Sequence, residues 1–219
     1  MCGFFSSTIG KKYLMGLTGL IWAGFVFVHM AGNMTLLVSA DMYNKYAHSI
    51  VSNKLLLYGT EIVLILALIT HVGLAISLTV GNRKSKSTTS SLKPNGVKRA
   101  SLASKTMIIQ GSILLLFIIT HLATFKYGQY YETTIDGVKM RDLAKLVSEV
   151  FHKPEFVAWY VVSLLLLFAH LRHGFGSIFQ SFGLLHPAYQ CRIKAVSWIY
   201  AIIVTVGFLS QPLYVYLVS

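Results

Sequence analysis

The feature that most constrains this chain is a series of five long apolar stretches. A helix that crosses the hydrocarbon core of a bilayer, about 30 Å thick, needs about 20 mainly apolar residues. Five stretches meet or nearly meet this length, at residues 13–38, 55–80, 106–125, 156–182 and 195–217. The sequence therefore predicts an all-α integral membrane protein, one transmembrane domain over residues 1–219 with five membrane helices.

The composition excludes a water-soluble fold. Hydrophobic residues make up 55% of the chain and charged residues only 12%, whereas about one quarter of a soluble domain is charged. The first apolar stretch is longer than the core of a signal peptide, so we expect it to be retained as a helix. No motif indicates a nucleic-acid module, and we expect no nucleic-acid partner.

The distribution of basic residues predicts the orientation, because cytoplasmic segments carry an excess of Lys and Arg. With the N-terminus in the cytoplasm, the inner segments hold 12 Lys and Arg residues and the outer segments hold 7. Six of the seven acidic residues fall in the outer segments. The sequence predicts a cytoplasmic N-terminus and an outer C-terminus.

Two connections have a character of their own. The inner connection, residues 81–105, is rich in Lys, Arg, Ser and Thr and is predicted to be a flexible basic loop. The outer connection, residues 126–155, carries apolar residues at helical spacing and predicts a short amphipathic helix that covers the bundle. The apolar positions of this predicted helix are Met140, Leu143, Ala144, Val147, Val150 and Phe151.

One histidine lies in each of the first four apolar stretches, and none lies in the fifth. These residues are His29, His71, His121 and His170. Because successive helices run in opposite directions, the rise of about 1.5 Å per residue puts His29 and His121 in the outer half and the other two in the inner half. The sequence thus predicts two histidine pairs, at levels roughly 10 Å apart.

A pair of imidazoles at one level of a four-helix core can bind one haem iron from both faces. Two pairs predict two haems, one held by His29 and His121 and the other by His71 and His170. Iron with two imidazole ligands has no vacant position, which indicates electron transfer and not oxygen binding. A lone intramembrane histidine is more often a packing residue or a proton relay, so the prediction depends on the matched pattern.

Two residues beside the fourth histidine leave alternatives open. His173 lies three residues after His170, on nearly the same helix face, so depth alone does not exclude it as the ligand. Arg172 and His173 could bind haem propionates at the cytoplasmic rim. Arg172 could equally serve as a basic anchor at the inner interface.

The residues around these sites resemble a known family, the di-haem cytochrome b membrane subunit of succinate dehydrogenases and fumarate reductases. The matching segments cover nearly the whole chain and are SSTIGKKYLMGLTG, VHMAGN, ITHVGL, ITHLATF and FAHLRHGFGSIFQSFG. The resemblance implies that His29 and His121 are axial ligands of the haem distal from the catalytic subunits. His71 and His170 would then hold the proximal haem, in preference to His173.

The resemblance also implies an oxidoreductase complex in the bacterial cytoplasmic (inner) membrane. A flavoprotein subunit with FAD and an iron–sulfur subunit would dock on the cytoplasmic face, in a dimer of heterotrimers. This chain would be the quinone-reactive subunit, passing electrons between a membrane quinone, by analogy menaquinone, and the iron–sulfur subunit. The succinate and fumarate chemistry would belong to the partner subunits.

Glu61 is the one acidic residue within a predicted membrane helix. It lies about 15 Å above His71 along the axis, close to the distal level, and could accept the proton released when a quinol is oxidised. The alternative is an interfacial acid bonded to a neighbour. Some di-haem fumarate reductases carry a proton-conducting acid two residues before the fourth ligand, where this chain has Phe168.

Two other functions fit part of the pattern. A cytochrome b subunit of a hydrogenase or formate dehydrogenase would be expected to carry two ligand histidines on one helix. A haem-free proton-coupled transporter that uses histidines, or a purely structural anchor, would lack the absorption spectrum of b-type haem.

Overall fold

Seven helices and one β-hairpin make up the described part of the chain. The computed structural model describes residues 3, 7–88 and 102–218. The helices are α1 (Thr8–Asn33), α2 (Ala40–Ser52), α3 (Lys54–Thr88), α4 (Leu102–His121), α5 (Leu143–Phe151), α6 (Pro154–Ser181) and α7 (Gln190–Val218). The antiparallel hairpin consists of β1 (Glu132–Ile135) and β2 (Val138–Arg141). Short 3₁₀ turns lie at Met34–Leu37 and Pro187–Tyr189, and a π-helical turn lies at Leu122–Lys126.

Within the described residues, five helices are long and apolar enough to cross a membrane, which confirms that prediction. Their ends differ from the predicted ones. α1 starts at Thr8 because the Ser7 side chain accepts a hydrogen bond from the Gly10 backbone N–H at 3.0 Å and caps the helix. α3 continues to Thr88 because hydropathy marks the bilayer thickness, whereas a helix can extend into water. The centre of the predicted basic loop, residues 89–101, lies outside the described residues.

The bundle has two distinct ends. At the amino-terminal end, Lys11 Nζ of α1 donates to Ser77 Oγ of α3 at 2.9 Å, and the Tyr13 and Phe182 rings lie 4.9 Å apart. The opposite end, the capped end, carries α2, the hairpin and α5. Between them α6 packs against α7, α1 and α4, while α3 packs mainly against α1 and touches α4 at few positions.

The outer connection contains the predicted amphipathic helix in shortened form. α5 covers Leu143–Phe151, but the placement of Met140 in that helix is wrong, because Met140 lies in β2. Asp136 and Gly137 have φ values of 52° and 75°, which makes the two-residue turn that joins antiparallel strands. The fold is therefore α-helical across the membrane, with a small hairpin beside it.

The hairpin, α5 and α2 form a unit that we call the cap. Asn44 of α2, 2% exposed, donates to Asp142 Oδ1 at 2.9 Å and accepts from the Ala144 backbone N–H at 2.9 Å. An ion pair of 2.5 Å joins Lys45 to Asp136 in the hairpin turn, and this hydrogen bond raises the pKa of Lys45. Apolar residues of the cap share one core with the ends of α6 and α7, which seats the cap on the bundle.

Candidate functional site

The structure brings His29 and His121 side by side near the capped end. Their ring centroids are 5.8 Å apart and their planes are nearly perpendicular, at 89°. Both side chains are partly buried within the protein. Two metal–nitrogen bonds of about 2 Å each, with the ring radii added, span roughly this separation. The pair could therefore hold one metal ion between the rings.

Aromatic side chains surround this pair, which we call the outer pair because it lies near the capped end, and we call His71 and His170 the inner histidines. Phe25 stacks on His29 at 5.2 Å and 14°, and Phe208 of α7 lies 5.9 Å away from the same ring. Phe125 lies 5.5 Å from His121 on the side of the cap. These rings give the pair an apolar surrounding of the kind that a flat macrocycle requires.

Neighbouring polar side chains form hydrogen bonds with the ring of His121 and with the backbone of His29. The Tyr160 hydroxyl lies 3.0 Å from His121 Nδ1, which leaves the Nε2 atom of that ring for another partner. Asn33 donates to the His29 backbone carbonyl at 2.7 Å and accepts from the Tyr43 hydroxyl at 3.1 Å. Burial raises the pKa of Tyr43, so its phenol stays protonated and continues to donate.

A π-helical turn follows His121 directly. The Tyr127 N–H donates to the Leu122 carbonyl at 3.0 Å, which is the hydrogen bond between residues five apart that defines such a turn. A Cβ atom on Gly128 would collide with the Thr124 carbonyl, so only glycine fits there. Arg141 of the hairpin donates to the carbonyls of residues 126, 128 and 129 at 3.0–3.2 Å. The cap thereby stabilises the turn that directly follows His121.

The inner histidines have different neighbours. His71 Nδ1 lies 3.1 Å from Thr18 Oγ1, and a Cβ on Gly19 would lie 3.7 Å from His71 Cε1. A Cβ on Gly111 would lie 3.6 Å from His170 Cε1. Each imidazole thus rests against a glycine of a neighbouring helix. No ring-to-ring contact joins His71 to His170 in the described part of the chain.

The contacts also measure the spacing of the two levels. Thr18, which touches His71, precedes His29 by about 11 residues, or about 16 Å of helix. Gly111, which lies against His170, precedes His121 by about 10 residues, or about 15 Å. Counted from these contacts, helix rise gives a larger spacing than the roughly 10 Å that was counted from the ends of the apolar stretches.

Several buried polar atoms between and beside these levels lack a hydrogen-bond partner among the described residues. They include Trp22 Nε1 on α1, Gln110 Oε1 on α4, and Ser163 Oγ and His170 Nδ1 on α6. A buried polar atom of this kind calls for an explanation, such as a bound ligand or water. These four atoms lie on helices that carry the histidines, while the two others of this kind are Arg141 Nε in the hairpin and Thr205 Oγ1 on α7.

The remaining predicted residues have partners of their own. The Arg172 guanidinium lies 4.6 Å from the Trp198 ring of α7. His173 is partly buried, and its backbone carbonyl accepts from Ser177 at 2.9 Å. Glu61 forms an ion pair of 2.6 Å with Lys126, the contact expected of an acid bonded to a neighbour. Propionate binding by Arg172 and His173, and proton transfer by Glu61, stay predictions.

None of the compared family models, curated proteins or solved structures matches this chain. The class that the fold and the site define is a multi-pass α-helical membrane protein with histidines at two levels of its core. No three His, Cys, Asp or Glu side chains converge within the described residues. Two facing imidazoles are the pair of axial ligands that a porphyrin, which supplies the other iron ligands, would need.

Proposed function

We propose that this chain is the membrane anchor and electron-transfer subunit of a succinate:quinone oxidoreductase, that is, a succinate dehydrogenase or a fumarate reductase. It would hold two b haems, one between His29 and His121 and one between His71 and His170. Electrons would pass between a membrane quinone and an iron–sulfur subunit. The observation that supports this most is the direct apposition of the His29 and His121 rings in an aromatic-lined core.

The surrounding residues fit the proposed group in three ways. The phenylalanines on both sides of the outer pair give it an apolar surrounding, and the Tyr160 hydroxyl holds one ring nitrogen of His121. Gly19 and Gly111 leave room against the inner imidazoles. Buried polar atoms that have no partner among the described residues could bond to polar substituents of the macrocycle. Iron held by two imidazoles supplies one-electron chemistry without binding oxygen.

The proposal includes a complex on one face of a bacterial cytoplasmic membrane. With the N-terminus in the cytoplasm, the sequence segments predicted to lie on that side carry 12 Lys and Arg residues and no Asp or Glu, which suits docking of a flavoprotein and an iron–sulfur subunit. The capped end would face outward. We propose a menaquinone site near the outer histidine pair, with Glu61 as its candidate proton acceptor, and a dimer of the heterotrimer.

Haem content is the decisive test. The full chain, expressed in haem-replete cells and purified in detergent, should show a reduced-minus-oxidised spectrum of b type and two haems per chain. Flavin and iron–sulfur subunits should co-purify from the native membrane. A colourless preparation would overturn the proposal and favour a haem-free transporter or anchor.

A further inference from the structure

We propose that Thr18 is a positioning residue that keeps the proton of the His71 imidazole on Nδ1, so that Nε2 is the nitrogen free to bind a metal. The inference rests on the proposed function for the identity of that metal group. The hydrogen bond itself can be tested in the chain without haem.

The direction of this hydrogen bond follows from the other contacts of Thr18. Its Oγ1 atom lies 2.9 Å from the Leu14 carbonyl and 3.2 Å from the Met15 carbonyl, and a carbonyl can only accept. A threonine hydroxyl has one proton to donate and two lone pairs to accept with. With that proton donated to a carbonyl within α1, Oγ1 accepts from His71 Nδ1 across the 3.1 Å contact.

The consequence for His71 is a defined tautomer. A neutral imidazole carries one N–H group, and the other nitrogen has a lone pair. With Nδ1 donating to Thr18, the lone pair lies on Nε2. Metal-binding histidines are commonly oriented in this way, by an outer partner that accepts from the second ring nitrogen and raises the basicity of the ligand.

The contact is held rigidly in place. Thr18 is 6% exposed, and a β-branched side chain in a helix has few rotamers available. Gly19 lets α1 approach the His71 ring closely, and a Cβ there would also meet Ile178 of α6 at 3.8 Å. The edge of the ring that bears Nδ1 and Cε1 therefore faces α1.

The other inner histidine has no equivalent restraint. His170 Nδ1 is buried and has no hydrogen-bond partner among the residues described. At this level, only the His71 ring has its tautomer set by a protein side chain in that part of the chain. Loss of the Thr18 hydroxyl should therefore change the inner site more than a change of similar size elsewhere in α1.

The test compares Thr18→Val, which keeps the side-chain shape without the hydroxyl, with Thr18→Ser, which keeps the hydroxyl. In the haem-free chain labelled with ¹⁵N-histidine, NMR should show His71 mainly as the Nδ1–H tautomer in wild type and in Thr18→Ser. Thr18→Val should lose that preference. Assignment uses the signal that disappears in His71→Ala.

The second readout is a redox titration of the purified holoprotein. Thr18→Val should make one haem easier to reduce, by on the order of tenfold in its redox equilibrium, because the ligand becomes less basic. For a one-electron couple this is about 59 mV. The other haem should keep its potential, and Thr18→Ser should behave as wild type.

The outcomes separate the two proposals. An Nε2–H tautomer in wild type, or equal effects of Thr18→Val and Thr18→Ser, would overturn the role of Thr18. Unchanged potentials in Thr18→Val would overturn it as well. A chain that binds no haem would defeat the proposed function, and the tautomer measurement would still decide whether Thr18 positions His71.

Discussion

The outer and inner histidine levels are built in different ways. At the outer level the cap covers the site, aromatic rings enclose it, and the two imidazoles are in contact. At the inner level a threonine and two glycines set the distances, and no ring contact joins His71 to His170 in the described chain. The outer site is therefore supported by a separate structural unit, whereas the contacts described for the inner histidines come from the long helices α1 and α4.

The largest effect should come from the histidines themselves. Replacing His29 or His121 by Ala should reduce the haem content from two per chain to one and remove the outer haem, because a single imidazole binds too weakly. Replacing His71 or His170 should remove the inner haem instead. Haem-to-protein ratios and redox titrations would show which component is left.

A matched control for these variants is His173→Ala, three residues from His170 on nearly the same face. It should retain both haems. Loss of the inner haem in His173→Ala but not in His170→Ala would show that His173, and not His170, is the ligand. Loss of the same haem from His29→Ala and His71→Ala would contradict the assignment of these two histidines to different levels.

The next largest effect should follow Gly128→Ala. The added Cβ meets the Thr124 backbone, so the turn behind His121 must shift, at a cost of about 1–3 kcal/mol. Haem loss on heating should then begin at the outer level, which absorption spectra can follow. Gly73→Ala, with nothing within 4 Å of the new Cβ, should be neutral or stabilising by up to about 1 kcal/mol. Equal behaviour of both variants would refute this role of the turn.

Tyr160→Phe should produce a smaller and local change. It removes the hydroxyl 3.0 Å from His121 Nδ1, a contact worth about 1 kcal/mol, and should shift the redox equilibrium of the outer haem several-fold. The inner haem should not respond. Tyr200→Phe is the control, because its hydroxyl donates to the Ala23 carbonyl at 2.6 Å and touches neither histidine level. A change in the redox potentials of both haems in Tyr160→Phe would indicate a general disturbance of the bundle.

Glu61→Gln should have the smallest structural effect. Its ion pair with Lys126 is partly exposed, at 28% and 39%, and contributes less than about 1 kcal/mol to stability. Both haem spectra should persist, while quinone-linked turnover should fall if Glu61 accepts the proton. Lys126→Met breaks the same ion pair and keeps the acid. Equal turnover in both variants would assign Glu61 to the ion pair, and unchanged quinol kinetics would remove it from the mechanism.

Much of the fold could be predicted because the signals are local. Hydropathy shows the five membrane helices, and the positions of the four histidines place them at two depths. The hairpin also had a local signal, the Asp136–Gly137 dipeptide between β-branched residues, which the helical spacing around Met140 obscured. The helix ends at Ser7 and Thr88 differ from the predicted ends at residues 13 and 80. Capping and solvation determine where a helix ends, and hydropathy records neither.

The partners of the histidines had no comparable signal. Thr18 and Tyr160 are single polar residues in apolar helices, and neither spacing nor composition connects them to His71 or His121. Their contacts join residues 53 and 39 positions apart. The ion pair of Glu61 with Lys126 likewise links two helices, so the sequence alone left its two roles open.

The sequence by itself determined that this chain has five helices long and apolar enough to cross a membrane, with one histidine in each of four of them. Burial in lipid requires long apolar segments, and the few polar residues within them stand out. The tertiary structure alone decided which imidazoles meet, which hydroxyl lies beside which ring nitrogen, and that a cap covers one level. These features depend on the rotation and approach of helices about their axes. Packing of side chains from distant parts of the chain sets both, and no local pattern encodes them.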